Sequence, residues 1–198
     1  MKRLYTTILL LLIIITCSKQ EQNFTSEQSS MIKSADTLAP MRVFTIADKA
    51  DSLLLRTNSE DIIPNKKDEI LKTLIKRMYA TVQDSATQGL GIAAPQVGIL
   101  KNIIWVQRFD KDGEPFEYYL NPKILKYSEL KQDCREGCLS VPDIRDTTAT
   151  RSYAILLEYD KLDKTHHTEM IEDFTAVIFQ HEIDHLNGVI FLDRLDEK

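Results

Sequence analysis

The chain is predicted to be α+β, with small antiparallel or mixed β-sheets packed around a C-terminal helix able to hold a metal ion. Three observations predict this: an amphipathic helical pattern over residues 65–85, short strand-like runs between residues 102 and 171, and QHEIDHL at 180–186 inside a last helical pattern. At 198 residues, 43% hydrophobic and 28% charged, the composition is that of one soluble domain with a core. A formal net charge of -5 without a Lys/Arg stripe excludes nucleic acid as a partner, since phosphates need basic clusters. A monomer is expected.

The first residues differ in kind. Lys2 and Arg3 precede an apolar run over residues 8–15 that stops at Thr16 and Cys17. That run is too short to span a bilayer and reads as an export signal, 1–17. Its end resembles a bacterial lipoprotein signal, with Cys17 acylated, although Thr16 departs from the usual pattern. Residues 18–40 are rich in Ser, Gln, Lys and Glu and are expected to be a flexible tether, with the folded domain covering 41–198. An exported, membrane-anchored protein of the bacterial envelope is the expectation. Translation starting at Met31 or Met41 would make it cytoplasmic instead.

Within the domain, Ile70, Leu71, Leu74, Ile75, Met78 and Val82 have helical spacing behind an expected N-cap at Asn65. Residues 89–98, GLGIAAPQVG, combine bracketing glycines with small residues, which lets backbone approach another group closely. No G-K-[ST] follows, so this is not a phosphate loop. Strands are expected at 102–107, 116–120 and 124–127, and a hairpin from 153–159 and 166–171. His166 and His167 at that hairpin point to opposite faces and are expected on the surface. A helix over 173–187 ending at Gly188, then a short strand VIFL, completes the chain.

On a helix, His181 and His185 stand one turn apart and can grip one divalent ion, with Glu182 beside it as a proton acceptor. The same five letters also arise by chance on an amphipathic helix. Cys138, in EGCLSVP at 136–142, is a metal ligand, a nucleophile, or a disulfide partner of Cys134.

GLGIAAPQ, EGCLS and QHEIDH, in this order, resemble the three signature motifs of peptide deformylases, from about Met41 to the C-terminus. The resemblance implies that fold, and a metal-dependent hydrolase removing the formyl group from N-formyl-methionine of peptides or nascent chains. It implies that Cys138, His181 and His185 hold the ion: Fe(II) first, with Zn(II), Ni(II) or Co(II) as other suitable ions. Glu182 would shuttle the proton, and the Gln96 amide and Leu139 N–H would stabilise the formyl oxygen. Gly91 would pair with the peptide as an added strand. Leu90, Phe174, Val177 and Ile178 would hold the methionine side chain, or simply pack the core. Arg145 and Arg151 are candidates for contacts farther along the peptide, and Glu136 for orienting a neighbour. Asp173 departs from the family, many of whose members have glycine there. Cys134 is expected to stay reduced or point away, because a bond to Cys138 would remove a ligand.

Deformylation on nascent chains conflicts with an export signal. One resolution is an extracytoplasmic enzyme acting on formyl-peptides or a related N-acyl substrate. A zinc endopeptidase would share HExxH but needs a third ligand downstream, where Asp193, Asp196 and Glu197 are poor candidates. A lipid-anchored binding protein stapled by a metal has no use for Glu182 or Gln96.

Overall fold

The computed structural model describes residues 22–85 and 88–195. The elements run α1 (Ser26–Ile32), α2 (Lys49–Leu55), α3 (Glu69–Val82), β1 (Gly91–Ala93), β2 (Ile103–Gln107), β3 (Phe116–Tyr127), β4 (Lys131–Cys138), β5 (Val141–Ser152), β6 (Ala154–Asp160), β7 (His166–Glu172) and α4 (Asp173–Leu186). Five strands form an antiparallel sheet in the order β1-β2-β3-β6-β7, and β4 pairs with β5 in a separate ribbon. The α+β expectation therefore holds.

The layering follows from strand alternation. On β2, Ile103 joins the buried cluster containing Leu71, Leu74, Ile75, Met78 and Val82 of α3. Ile104 and Val106 join Ala176, Phe179, Ile183 and Leu186 of α4 on the other face. Successive side chains of a strand point to opposite faces, so one short apolar strand serves both layers. The sheet thus lies between α3 and α4, and α4 is buried along most of its length.

Several expectations need correction. The tether over 18–40 is wrong for residues 22–40, where Phe24 and Ile32 enter the α3 cluster. Thr25 and Gln28 form a capping box on α1. Arg77 of α3, itself buried, donates to the carbonyls of Met31, Ile32, Ala39 and Pro40 at 3.0–3.2 Å. The polar composition hid an arm pinned by two apolar residues and one arginine. Ile32→Ala should lower stability by about 2–5 kcal/mol, read by urea unfolding, because Ile32 is fully buried.

The α3 N-cap is Asp68, not Asn65, its carboxylate accepting from the N–H groups of Ile70 and Leu71. The two expected strands around Asn121 and Pro122 are one strand, β3. Asn121 has φ 50 there, and the pairing with β6 shifts register. The expected strand VIFL is instead a 3-10 turn, Phe191–Arg194, started by Asp193 accepting from the Ile190 N–H at 2.9 Å. Gly188, with φ 70, follows the end of α4 as expected.

Asp173 has φ 56, a left-handed conformation that glycine adopts freely and aspartate tolerates. That is a physical reason why glycine would suit this place. Among the described residues no helix is long and apolar enough to cross a membrane. Residues 1–17, including Cys17, lie outside the described residues.

Candidate metal centre

Three elements converge on the site. β4 ends at Cys138, α4 carries His181 and His185 one turn apart, and a 3-10 turn (Ala94–Val97) after β1 carries Gln96. One ligand atom from each of Cys138, His181 and His185 lies within 4.8 Å of the others. The Cys138 sulfur is 3.1 Å from His185 Nε2, and the two imidazole rings are 5.0 Å apart between centroids. Cys134 and Cys138 are not bonded to each other.

His181 Nδ1 lies 2.7 Å from a Glu136 oxygen, which leaves Nε2 as its ligand atom. Glu136 in turn accepts from Arg151 Nε at 2.8 Å and Nη2 at 2.9 Å, and from the Thr148 hydroxyl. Arg151 also donates to Asp184 at 2.6 Å, and Asp184 accepts from Arg194 at 2.6 Å. A buried ionic chain therefore backs His181 and runs to the C-terminal turn. Arg151, expected to meet a peptide, cannot do so, because its side chain is 3% exposed and committed to two carboxylates.

The electrostatics suit a cation. Burial pushes the Cys138 thiol up, but His185 and His181 beside it outweigh that and hold it well below the usual thiol range. Burial would lower His181, yet Cys138 and Glu136 raise it well above its ordinary value. Burial also opposes ionisation of Glu136, but His181 and Arg151 bring it down to about 2. Glu182 differs: burial raises it to about 7 against the pull of the two histidines. Its Oε2 is buried without a hydrogen-bond partner among the described residues. A thiol inclined to ionise, two imidazoles and a nearby unpartnered carboxyl fit one divalent ion with an acid/base beside it.

Gln96 is oriented by its own oxygen, which accepts from the Ala93 N–H at 2.8 Å. Its amide nitrogen then points toward the Ser140 hydroxyl at 3.3 Å and the Cys138 sulfur at 3.6 Å. Leu139 lies in the turn between β4 and β5 and lines the same cleft, which has a volume of about 720 Å³. Leu90, Gly91, Phe174, Val177, Ile178, His181 and Glu182 line it too, so every expected substrate-binding position is brought together. Val177 and Ile178 are also nearly buried, while Leu90 and Phe174 are 40% and 37% exposed at the rim. Arg145 lines the cleft as expected, and its stem packs over Gly137. Ile144, 44% exposed beside it, is an apolar rim residue that sequence reasoning missed. His166 and His167 lie exposed on β7, as expected, and take no part.

β1 is the edge strand of the five-stranded sheet, so a peptide can extend the sheet there. A Cβ on Gly91 would stand 2.5 Å from a Glu182 oxygen. Gly91→Ala is therefore expected to keep the fold and displace the Glu182 carboxyl by about 1 Å; with Glu182 acting on substrate, as the motif resemblance implies, kcat/KM falls roughly 10²-fold. Steady-state kinetics with circular dichroism checks both halves.

The sequence model of one family, described as polypeptide deformylase, matches residues 41–198. A peptide deformylase of Leptospira biflexa is 35% identical over 155 residues, covering 74% of this chain and 85% of that protein. One of Synechocystis sp. is 37% identical over 158 residues, covering 79% and 80%. Among solved structures, the class I type b peptide deformylase of Acinetobacter baumannii bound to Met-Ala-Ser superposes with TM-score 0.70 at 31% identity, covering 79% of this chain and 98% of that one. The Thermotoga maritima peptide deformylase gives 0.69 at 34% identity, with the same coverage.

Proposed function

Since the chain belongs to the polypeptide deformylase family and removes the N-formyl group from peptides, we propose how its own residues do so, with which ion and where. Cys138, His181 and His185 hold a single divalent ion, ferrous iron in the cell as the motif resemblance implies. Bound there, the ion supplies Lewis acidity, making water nucleophilic near neutral pH and polarising a carbonyl. Glu182, buried beside the three ligands, takes a proton from the attacking water and returns it to the departing amine. The Gln96 amide and the Leu139 N–H stabilise negative charge on the formyl oxygen. The peptide lies along β1 at Gly91, and its methionine side chain enters among Leu90, Phe174, Val177 and Ile178. That the Acinetobacter relative is solved with Met-Ala-Ser bound supports a peptide headed by methionine as the ligand.

One observation carries this reading: three metal-ligating side chains converge beside a buried carboxyl, Glu182, whose Oε2 has no hydrogen-bond partner among the described residues. A metal used only as a staple leaves that carboxyl without a purpose. The test uses protein begun at Ser18, so that α1 is kept, purified anaerobically. Formate release from formyl-Met peptides, with about one iron per chain, supports the reading. A chain that cleaves acetyl-Met peptides faster instead points to a broader N-acyl substrate. Loss of turnover on chelation and its return with Fe(II) checks the metal requirement.

The chain is further proposed to be exported and anchored by lipid at Cys17. Lys2, Arg3, the apolar run 8–15 and the cysteine that follows support it. Its substrates are then formylated peptides outside the cytoplasm.

A further inference from the structure

We propose that Phe109, which lies outside the cleft, sets the width of the methionine pocket: the turn between β2 and β3 wedges its ring behind Phe174 and holds that side chain as a fixed wall. This rests on the proposed placement of the methionine side chain against Phe174, and adds the residue that steadies it.

Phe174 stands on the face of α4 that carries Val177, Ile178, His181 and Glu182 toward the cleft, two turns before the ligand His181. Its own helix does little to fix it. The N-cap, Glu172, makes no side-chain cap bond, Asp173 is left-handed with φ 56, and Phe174 is 37% exposed. An exposed aromatic in a first helical turn is free to change rotamer within nanoseconds. A pocket discriminates between side chains of different width only when the residues lining it are locked from behind.

The turn supplies what the helix lacks. The Phe109 ring lies 5.3 Å from the Phe174 ring between centroids, tilted by 51°, and is the one ring in contact with Phe174 among the described residues. Phe109 also packs on the buried cluster that contains Ile178 and Phe179, and it does not line the cleft. Next to it, the Asp110 carboxylate accepts a hydrogen bond from the Thr175 side chain, so two successive residues of the turn meet two successive residues of α4. The turn is itself clamped. Arg108, its side chain 1% exposed, donates to Asp110 at 2.6 and 2.8 Å, to Glu169 of β7 at 2.9 Å and to the Tyr119 hydroxyl at 2.6 Å. Its backbone N–H donates to the Pro115 carbonyl at 2.8 Å, across the turn. A planar guanidinium with its donors in a fixed fork orients the groups it bridges. Phe109 is therefore a positioning residue, held by Arg108 on one side and bearing on Phe174 on the other.

The experiment measures kcat/KM of the full chain, loaded with Fe(II) anaerobically, on formyl-Met-Ala-Ser and on formyl-Phe-Ala-Ser, and reads the ratio of the two. Phe109→Ala should lower the preference for methionine roughly tenfold, the lower end of what one carbon group decides in an apolar pocket. Phe174→Ala should lower it as much, and the double variant no further, because Phe109 acts through Phe174. Phe109→Tyr, which keeps the ring, should retain the preference. Phe109→Leu, which keeps an apolar body without the ring, should lose several-fold and is read in place of the alanine variant if that one does not fold. A purely structural role would slow both substrates alike and leave the ratio unmoved. An unmoved ratio in the Phe109 variants, or a double variant that loses the product of the single effects, overturns the role of Phe109 while Phe174→Ala still marks the pocket. If Phe174→Ala itself leaves the preference intact, methionine does not lie against Phe174, and the pocket assignment and this proposal fall together.

Discussion

Glu182→Gln is expected to bind metal as the unaltered chain does and to lose roughly 10²–10⁴-fold in turnover, the usual contribution of a positioned acid/base. The amide fills the same space beside His181 but can neither accept nor return a proton. Metal content with formate release separates the two effects: normal metal loading with normal turnover would remove Glu182 from the mechanism. The same variant reports on burial. Above pH 4.5 an unfolded chain releases the Glu182 proton, while the metal-free folded chain keeps it up to about 7. The folded state then binds more protons in that window, so this group makes stability fall as pH rises through it. Relative to the unaltered metal-free protein, Glu182→Gln should therefore gain up to about 3 kcal/mol between pH 4.5 and 7, with no further gain above. Urea unfolding across that range measures it.

The residues nearest the reaction were those most readable in the sequence, because their chemistry restricts which side chains can serve. Two histidines at helical spacing, a cysteine in EGCLS and an amide in GLGIAAPQ stand out as types and spacings before any tertiary contact is known. The elements that place them were harder to see. β4 and β5 carry charged and polar residues on both faces, since the ribbon is largely exposed, and no alternation marks them. β1 has three buried residues, too few to show a period. The arm over 22–40 resembled a tether because only Phe24 and Ile32 hold it by apolar contact. For β1 and the arm, stability comes from partners in other elements, which composition does not record.

The same limit applied to the groups behind His181. Asp184 lies inside the HExxH-containing stretch, yet nothing in its spelling indicates that it bridges Arg151 and Arg194. Arg151 resembled a surface arginine available to substrate, since a guanidinium is seldom buried without carboxylates on two sides. Its role depends on β5 passing behind α4, which is a property of the fold.

Arg151→Ala is accordingly expected to have the second large effect, in stability and in metal affinity together. Removing the guanidinium leaves the Glu136 carboxylate without its main cation and Asp184 with Arg194 alone, a change of about 3–5 kcal/mol for a broken buried pair. Glu136 then holds His181 Nδ1 less firmly, and metal affinity should fall roughly 10–100-fold, as when a group orienting a ligating histidine is lost. Arg194→Ala should do much less to either, because Asp184 keeps Arg151 and the Glu136 contacts are untouched. Chelator competition reads affinity and urea unfolding of the metal-free protein reads stability. Neutralising the whole chain, Arg151→Met with Glu136→Gln and Asp184→Asn, divides the two roles. Stability should largely return, because no buried charge remains uncompensated, whereas affinity should stay low, because the carboxylate facing His181 is gone. Recovery of affinity in that triple variant would mean that the ionic chain supports the fold alone and has no part in orienting the ligand.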